Sequence, residues 1–392
     1  MTESIILDVL LVVLLVGYIA YGIRVGLSHA VFAFAGIIAG AIAAYFLVPI
    51  VSAWIPFPQA RPVVVILTVL GLIAAGNTLG ALIGRTVRRG FAATPLSGLD
   101  RVAGGIATGI AAALIASVLA TSVGQLGVPV LSRATAGSAV LRTISALTPD
   151  PVEAYLAELR STVIDSGLPV ISDALGIQDP VIPTIDAGSP ELTAAAQSVV
   201  RITGNALACG IAQSGSGFVV SDDRVVTNAH VVAGVTEPVI EAPDGQAVAA
   251  TVVYFDPIVD LAVLAVPGLN AEPIDLGPTA SPGTDAAVQG YPFGGPFSSI
   301  PAGVMSVQVS QVEDIYESSR SPREVYTLAS AVREGNSGGP LLSLDGDVIG
   351  VVFARSADTE DIGYAMTMTE LAPVANEAPA LRTPVDTGRC TR

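Results

Sequence analysis

Four apolar runs fill the first third of the chain, at Ile5–Ile23, His29–Val51, Pro62–Ile83 and Val102–Val123. Each has about 20 residues, the length an α-helix needs to cross roughly 30 Å of hydrocarbon. Lipid offers the backbone no hydrogen bonds, so such runs span as helices that satisfy their own peptide groups. Composition points the same way. The 392 residues are 51% hydrophobic and only 13% charged, against about 25% charged in an ordinary soluble protein. A cleaved signal peptide does not account for the first run, because its N-terminal flank, Met1-Thr2-Glu3-Ser4, carries no positive charge and three further runs follow.

Arginine placement sets the expected orientation. The first loop carries Arg24 and the third carries Arg85, Arg88, Arg89 and Arg101, whereas the second carries only Arg61. Cytoplasmic loops collect positive charge. The N-terminus and everything after Val123 are therefore expected on the extracytoplasmic side of the cell membrane. Net charge is −16 and the chain contains no lysine. So acidic a surface repels phosphate backbones, which argues against nucleic-acid binding. Two histidines and two cysteines, Cys209 and Cys390, are too few for a metal site, and no cofactor is expected. On the oxidising side the two cysteines can form one disulfide, closing a loop of about 180 residues; two free thiols are the alternative.

Residues 125–195 read as a linker between a membrane portion at 1–124 and a catalytic portion at 196–392. Pro149, Pro151, Pro169, Pro180, Pro183 and Pro190 punctuate it. Val152, Tyr155, Leu156, Leu159 and Val163 recur at helical spacing and predict a short amphipathic helix over Val152–Ser166. A spacer with some helix is the expectation, and Asp8, near the start of the first span, is expected at the membrane interface.

After Ser198 the pattern changes to short β-type runs, among them Gly217–Ser221, Leu261–Val266, Val304–Val312 and Val348–Val352, with turn pairs Asp244-Gly245 and Asp345-Gly346. Many short strands predict an all-β portion. Three motifs follow in order: Thr227-Asn228-Ala229-His230, Asp260-Leu261-Ala262-Val263-Leu264 and Gly335-Asn336-Ser337-Gly338-Gly339-Pro340. Their chemistry is that of nucleophilic catalysis. A serine hydroxyl attacks a carbonyl only when a base takes its proton, an imidazole does so near neutral pH, and a carboxylate behind the imidazole fixes its tautomer. Glycines beside Ser337 permit a sharp turn that aims the N–H groups of Gly335 and Ser337 at one point, an oxyanion hole. Asp256 competes with Asp260 for the carboxylate role; Asp260 is favoured because it opens an apolar strand.

These residues carry two resemblances. Asp8-Val9-Leu10-Leu11, Gly22-Ile23-Arg24-Val25-Gly26 and Gly98-Leu99-Asp100-Arg101 resemble the colicin V production (CvpA) family of four-helix membrane proteins. That family implies an anchor or scaffold. The order His230, Asp260, Ser337 and the Gly-Asn-Ser-Gly-Gly-Pro stretch resemble trypsin-like proteases, and among them the HtrA/DegP-like branch. That likeness covers roughly 196–375 and implies a chymotrypsin-like double β-barrel with the active site between the barrels. His230 is then the general base, Asp260 its orienter and Ser337 the nucleophile. The residue six before the nucleophile, Ala331, falls at the base of the specificity pocket; without a carboxylate there, a small or apolar substrate residue fits better than a basic one. Phe353, Ala354 and Arg355 are implied as the strand that pairs with the substrate backbone. The PDZ domain usual in the HtrA branch is not seen. Joining CvpA-like spans to a PDZ-free protease resembles the MarP-like family of actinobacterial membrane-anchored acid-resistance serine proteases, which implies a part in acid or envelope stress.

The expected fold is thus an N-terminal all-α four-helix transmembrane domain followed by an all-β chymotrypsin-like domain. The expected function is a serine endopeptidase of the cell membrane acting on extracytoplasmic proteins and peptides, with the lipid bilayer its other partner. Two alternatives stand beside it: a non-catalytic sensor that keeps the protease fold for peptide binding, and a channel or transport component with an accessory protease.

Overall fold

The structure is a computed structural model that describes residues 2–54, 61–91, 96–124, 129–161, 169–171, 180–206 and 211–391. It divides into two compact units, Val9–Ser117 and Met1–Asp8 with Val118–Arg392.

The apolar runs are helical: α1 (Thr2–Val25), α2 (Leu27–Trp54), α3 (Arg61–Phe91) and α4 (Leu96–Gly124). Among the described residues, three segments are long and apolar enough to cross a membrane, Glu3–Val25, Leu27–Ala44 and Ser97–Ala120. The third expected run falls on α3, many of whose side chains lie outside the described residues. α2 packs along α3. α1 meets α4 through Gly22, where a Cβ would come 2.4 Å from the Gly104 carbonyl oxygen; only a residue without a side chain allows that approach. Asp100 Oδ1 accepts hydrogen bonds from the Ser28 N–H (2.9 Å) and the Ser28 hydroxyl (2.7 Å), and so caps the start of α2.

The linker is more ordered than a bare spacer. It forms α5 (Pro129–Ala136), α6 (Ala139–Leu147), α7 (Asp150–Ser161), the two-residue strand β1 (Val170–Ile171) and α8 (Pro190–Ala196). The expected amphipathic helix is α7, whose predicted end at 162–166 lies outside the described residues. Asp8 has a definite partner as well. Its carboxylate accepts from the Ser138 hydroxyl, from Val140 N (3.2 Å) and from Ala139 N (3.1 Å), at the N-terminus of α6. These orphan donors and the positive end of the helix favour a carboxylate. α5 packs on the β-rich portion, and Arg142 Nη1 donates to the Asp244 carbonyl at 3.4 Å.

The β-rich portion holds two seven-stranded sheets. One runs β6 (Ala247–Ala249), β5 (Val239–Glu241), β2 (Val199–Ala206), β3 (Ile211–Ser221), β4 (Arg224–Thr227), β8 (Leu261–Ala265), β7 (Thr251–Asp256). The other runs β1, β13 (Val348–Ser356), β12 (Pro340–Ser343), β9 (Asp285–Gly290), β10 (Ser298–Glu313), β11 (Arg320–Ala329), β14 (Ile362–Thr367), and a β13–β14 pairing returns the order to its start. Apart from β1 all the pairings within these sheets are antiparallel, and both hairpin turns foreseen at Asp-Gly pairs form, with Gly245 and Gly346 at φ +85° and +91°. Valine, isoleucine, leucine and alanine from both sheets fill the interior, together with the fully buried Phe218, Tyr326 and Phe353. The short helix α9 (Ala229–Val232) follows β4, and α10 (Met368–Glu377), capped by Thr367, closes the second sheet.

Candidate active site

β4 ends at Thr227, and the chain turns into α9 with His230 in the turn. β7 ends at Asp256, and a tight loop leads to Asp260 immediately before β8. β4 and β8 are neighbours in the sheet, so both loops emerge at the same edge. The loop 256–260 shows why the two acidic residues differ. Asp256 Oδ1 accepts from Ile258 N (2.8 Å) and Val259 N (3.0 Å), and its carboxylate is spent on building the turn. Asp260 is forced to φ +65°, a region where aspartate and asparagine are the best tolerated non-glycine residues. Asn228 Nδ2 holds the Asp260 carbonyl at 2.8 Å. The Asp260 carboxylate then grips His230 twice: Oδ1 accepts from the His230 main-chain N–H at 2.9 Å, and Oδ2 lies 2.8 Å from Nδ1. His230 and Asp260 are 4% and 2% exposed, so water does not compete for these bonds.

Ser337 comes from the loop between β11 and β12. Ser216 on β3 joins that loop to the histidine's: the Thr227 hydroxyl donates to the Ser216 carbonyl (2.7 Å), and Ser216 N donates to the Ser337 carbonyl (2.8 Å). Ser337 is itself 2% exposed. Three buried polar atoms of the residues named here have no hydrogen-bond partner among the described residues, Asn228 Oδ1, His230 Nε2 and Ser337 Oγ.

The segment before Ser337 forms a turn closed by Asn336 N donating to the Arg333 carbonyl at 3.0 Å, with Gly335 at φ +88°. A side chain there would be strained and would also meet the Tyr291 carbonyl oxygen at 2.4 Å. The Gly335 carbonyl accepts from the Ser216 hydroxyl (2.7 Å), and Phe293 N donates to the Glu334 carbonyl (2.5 Å). No described group accepts from the N–H of Gly335 or of Ser337. The site thus offers an oriented imidazole, a buried hydroxyl and two backbone donors with no described acceptor, the parts of an acyl-transfer centre.

The other expected site residues fall differently. Ala331 is half-buried, and the adjacent Val332 is fully buried. Phe353 is 1% exposed in the core, its ring 5.7 Å below the Arg323 guanidinium. That guanidinium donates to the Val259 carbonyl at 2.9 Å and so braces the loop bearing Asp260, while burial lowers its pKa against the attraction of Asp260 and other carboxylates. Ala354 is buried and pairs with Tyr364 on β14. On the opposite edge Arg355 pairs in parallel with Val170 of β1; Arg355 N donates to the Pro169 carbonyl (3.1 Å) and Ala357 N to that of Ile171 (2.9 Å). The edge expected to pair with substrate is thus taken by the chain's own linker. Cys209 lies outside the described residues. Ser216, Phe293 and Arg323 are positioning groups that sequence reasoning missed; a serine between two glycines is a faint signal, and the other two gave none.

Comparison with known proteins places the chain. Residues 7–149 match the colicin V production protein family, and residues 215–351 match the trypsin-like peptidase domain. Serine protease Rv3671c of Mycobacterium tuberculosis is 36% identical over 100% of both chains. A DegP-like probable periplasmic serine endoprotease of Halomonas elongata is 35% identical over 42% of this chain and 34% of its own length. The crystal structure of the Rv3671c protease in its active form is 39% identical, covers 57% of this chain and all of that one, and superposes with a TM-score of 0.52. The chain therefore belongs to the family of membrane serine proteases that includes Rv3671c, in which a helical colicin V production region is joined to a chymotrypsin-like peptidase domain.

Proposed function

We propose that this membrane serine protease cleaves extracytoplasmic proteins by an acyl-enzyme route, with Ser337 as nucleophile, His230 as general base and then acid, Asp260 as orienter of the imidazole, and the N–H groups of Gly335 and Ser337 as oxyanion hole. One observation carries the assignment. The Asp260 carboxylate fixes His230 through Nδ1 and the main chain, which leaves the buried Nε2 without a partner among the described residues, as is the buried Ser337 Oγ. Proton transfer between those atoms is the step a serine protease needs; such contacts are often long in the free enzyme and tighten with substrate. The two sheets are read as a double barrel and α1–α4 as four spans. The arginine-rich first and third loops support a cytoplasmic place for those loops and an extracytoplasmic place for the catalytic portion of an inner-membrane protein. The family likeness and this orientation favour envelope proteins handled under acid or oxidative stress as substrates. Labelling of intact spheroplasts with a membrane-impermeant fluorophosphonate tests both points: labelling of wild type, lost in Ser337→Ala, is expected, and labelling only after lysis would place the active site on the other side.

The β1 contact bears on substrate binding. An extended substrate that pairs with β13 needs the Arg355 N–H, which Pro169 now occupies. Replacing Pro169, Val170 and Ile171 by glycine weakens the strand and frees that edge. KM for a peptide is then expected to fall about fivefold with kcat unchanged, because the competent state becomes more populated. An unchanged KM would show that substrate binds elsewhere.

The C-terminal tail is docked on the first sheet. Gly234 N donates to the Thr387 carbonyl (3.0 Å), the Thr387 hydroxyl to the Val235 carbonyl (3.0 Å) and Val385 N to the Val252 carbonyl (3.0 Å). This docking supports a Cys209–Cys390 disulfide. The chain-entropy contribution of so long a loop is about 4–5 kcal/mol, so Cys390→Ser is expected to lower Tm by roughly 10 °C. A Tm unchanged on substitution would count against the pairing.

A further inference from the structure

One buried cation outside the triad has no part in the reaction as described. Arg201, on β2, has a side chain only 19% exposed. Its Nη2 donates to the Glu241 carboxylate on β5. Its Nη1 donates to the Gly294 carbonyl at 3.0 Å, and its guanidinium lies 5.8 Å from the centre of the Tyr291 ring. Burial alone would disfavour its charge, but Glu241 outweighs that and raises its pKa, so it stays a cation. Both contacts beyond Glu241 fall on the 3₁₀ turn Pro292–Gly294 and its flank, against which α7 also packs.

That turn is strained. Phe293 sits at φ +55°, a conformation that a phenylalanine keeps only when its surroundings hold it there. What it achieves is the 2.5 Å bond from Phe293 N to the Glu334 carbonyl. In a trans peptide the carbonyl and the following N–H point in opposite directions. Anchoring the Glu334 carbonyl on Phe293 therefore turns the Gly335 N–H the other way, and the Ser216 hydroxyl fixes the next carbonyl, that of Gly335, at 2.7 Å. If the 292–294 turn relaxed, the Glu334 carbonyl would lose this anchor and the Gly335 N–H, one donor of the hole, would be loosened.

We propose that Arg201 is a positioning residue for the oxyanion hole: through the Gly294 carbonyl and the Tyr291 ring it holds the strained turn whose Phe293 N–H sets the Glu334–Gly335 peptide. The inference rests on reading the Gly335 N–H as an oxyanion donor. It assigns a role in transition-state binding to a charge that touches neither substrate nor triad. Glutamine at 201 keeps a polar side chain but cannot serve Glu241, the Gly294 carbonyl and the ring together.

The test uses the full-length protein in nanodiscs, with Arg201→Gln and Glu241→Gln as variants. Active sites are counted by fluorophosphonate titration, kcat and KM are measured on a peptide amide, and inhibition by a peptide boronate, which forms a tetrahedral adduct on the serine, is compared. Losing an oxyanion donor outright costs about 100- to 1000-fold. A loosened donor is expected to lower kcat per titrated site about 10- to 100-fold in Arg201→Gln and less in Glu241→Gln. KM should stay within about twofold and boronate affinity should fall in step with kcat, because both report binding made only in the transition state. The proposal is overturned if kcat per titrated site is unchanged, if the loss lies in KM alone, or if kcat falls while boronate affinity holds. Should Arg201→Gln not fold, Glu241→Gln decides by the same criteria. Wild-type protein that takes no fluorophosphonate would overturn the underlying active-site reading, and this proposal with it.

Discussion

Alanine at Ser337 is expected to slow hydrolysis of a peptide amide by about 10⁶-fold in kcat. On the proposed route this hydroxyl is the nucleophile, and without it no acyl-enzyme forms. A residual rate of roughly 10³–10⁴ over water should persist, because the backbone donors of Gly335 and Ser337 survive the substitution. Stability should hardly change. Ser337 Oγ is buried without a partner among the described residues, so its removal strands no donor or acceptor, and the penalty for breaking a buried hydrogen bond, about 1–3 kcal/mol, does not arise. The combination separates chemistry from folding. Active-site-independent measures such as Tm and circular dichroism should match wild type, while kcat collapses. Adding His230→Ala to Ser337→Ala should cost almost nothing more, since the two act as one unit. Activity above about 1% of wild type in Ser337→Ala would mean that another group attacks the carbonyl.

What could be read from sequence follows physical range. The apolar helices were legible because their signal is compositional: about 20 apolar residues in a row need no partner to be recognised. Their order as helices appears in α1 to α4. The histidine, aspartate and serine could be singled out because each lies in a local motif whose neighbours shape the backbone. Asp260 at its left-handed φ and Gly335 at φ +88° are instances. Beyond the helix that became α7, the linker was not legible. β1 is two residues long, and no periodicity can mark a two-residue strand; only Arg355, nearly two hundred residues on, makes it one. Asp8 has the same history. As a lone carboxylate at the edge of an apolar run it suggested an interface, and its partners Ser138, Ala139 and Val140, 130 to 132 residues away, gave no signal. Ser216 and Phe293 act through a hydroxyl and a main-chain N–H that any similar residue offers, so nothing in their identity announced the role. Short-range backbone chemistry is written in the sequence, whereas long-range pairing of ordinary polar groups appears only once the sheets exist.

Asparagine at Asp260 is the most informative single replacement, with an expected loss of about 10⁴-fold in kcat. It suits the site in every respect but one. It has the same shape, and asparagine tolerates φ +65° as well as aspartate does, so the fold should stand. Its amide must choose an orientation. Oδ1 of Asp260 accepts from the His230 main-chain N–H at 2.9 Å, and that donor is fixed, so the amide oxygen of asparagine must take this position. The NH₂ group is then left facing Nδ1, where Oδ2 now lies at 2.8 Å. Two donors cannot share that contact. Nδ1 must become the acceptor, which moves the imidazole proton to Nε2, the nitrogen that should take the proton from Ser337. The base is present, aligned and in the wrong tautomer. Loss of the carboxylate also removes the charge that stabilises the imidazolium during attack. A rate that recovers at alkaline pH is expected, as hydroxide takes over the role of base. A crystal structure or Tm of Asp260→Asn close to wild type, with kcat within tenfold of it, would refute the assignment, for it would mean that Asp256 or another carboxylate orients the imidazole instead.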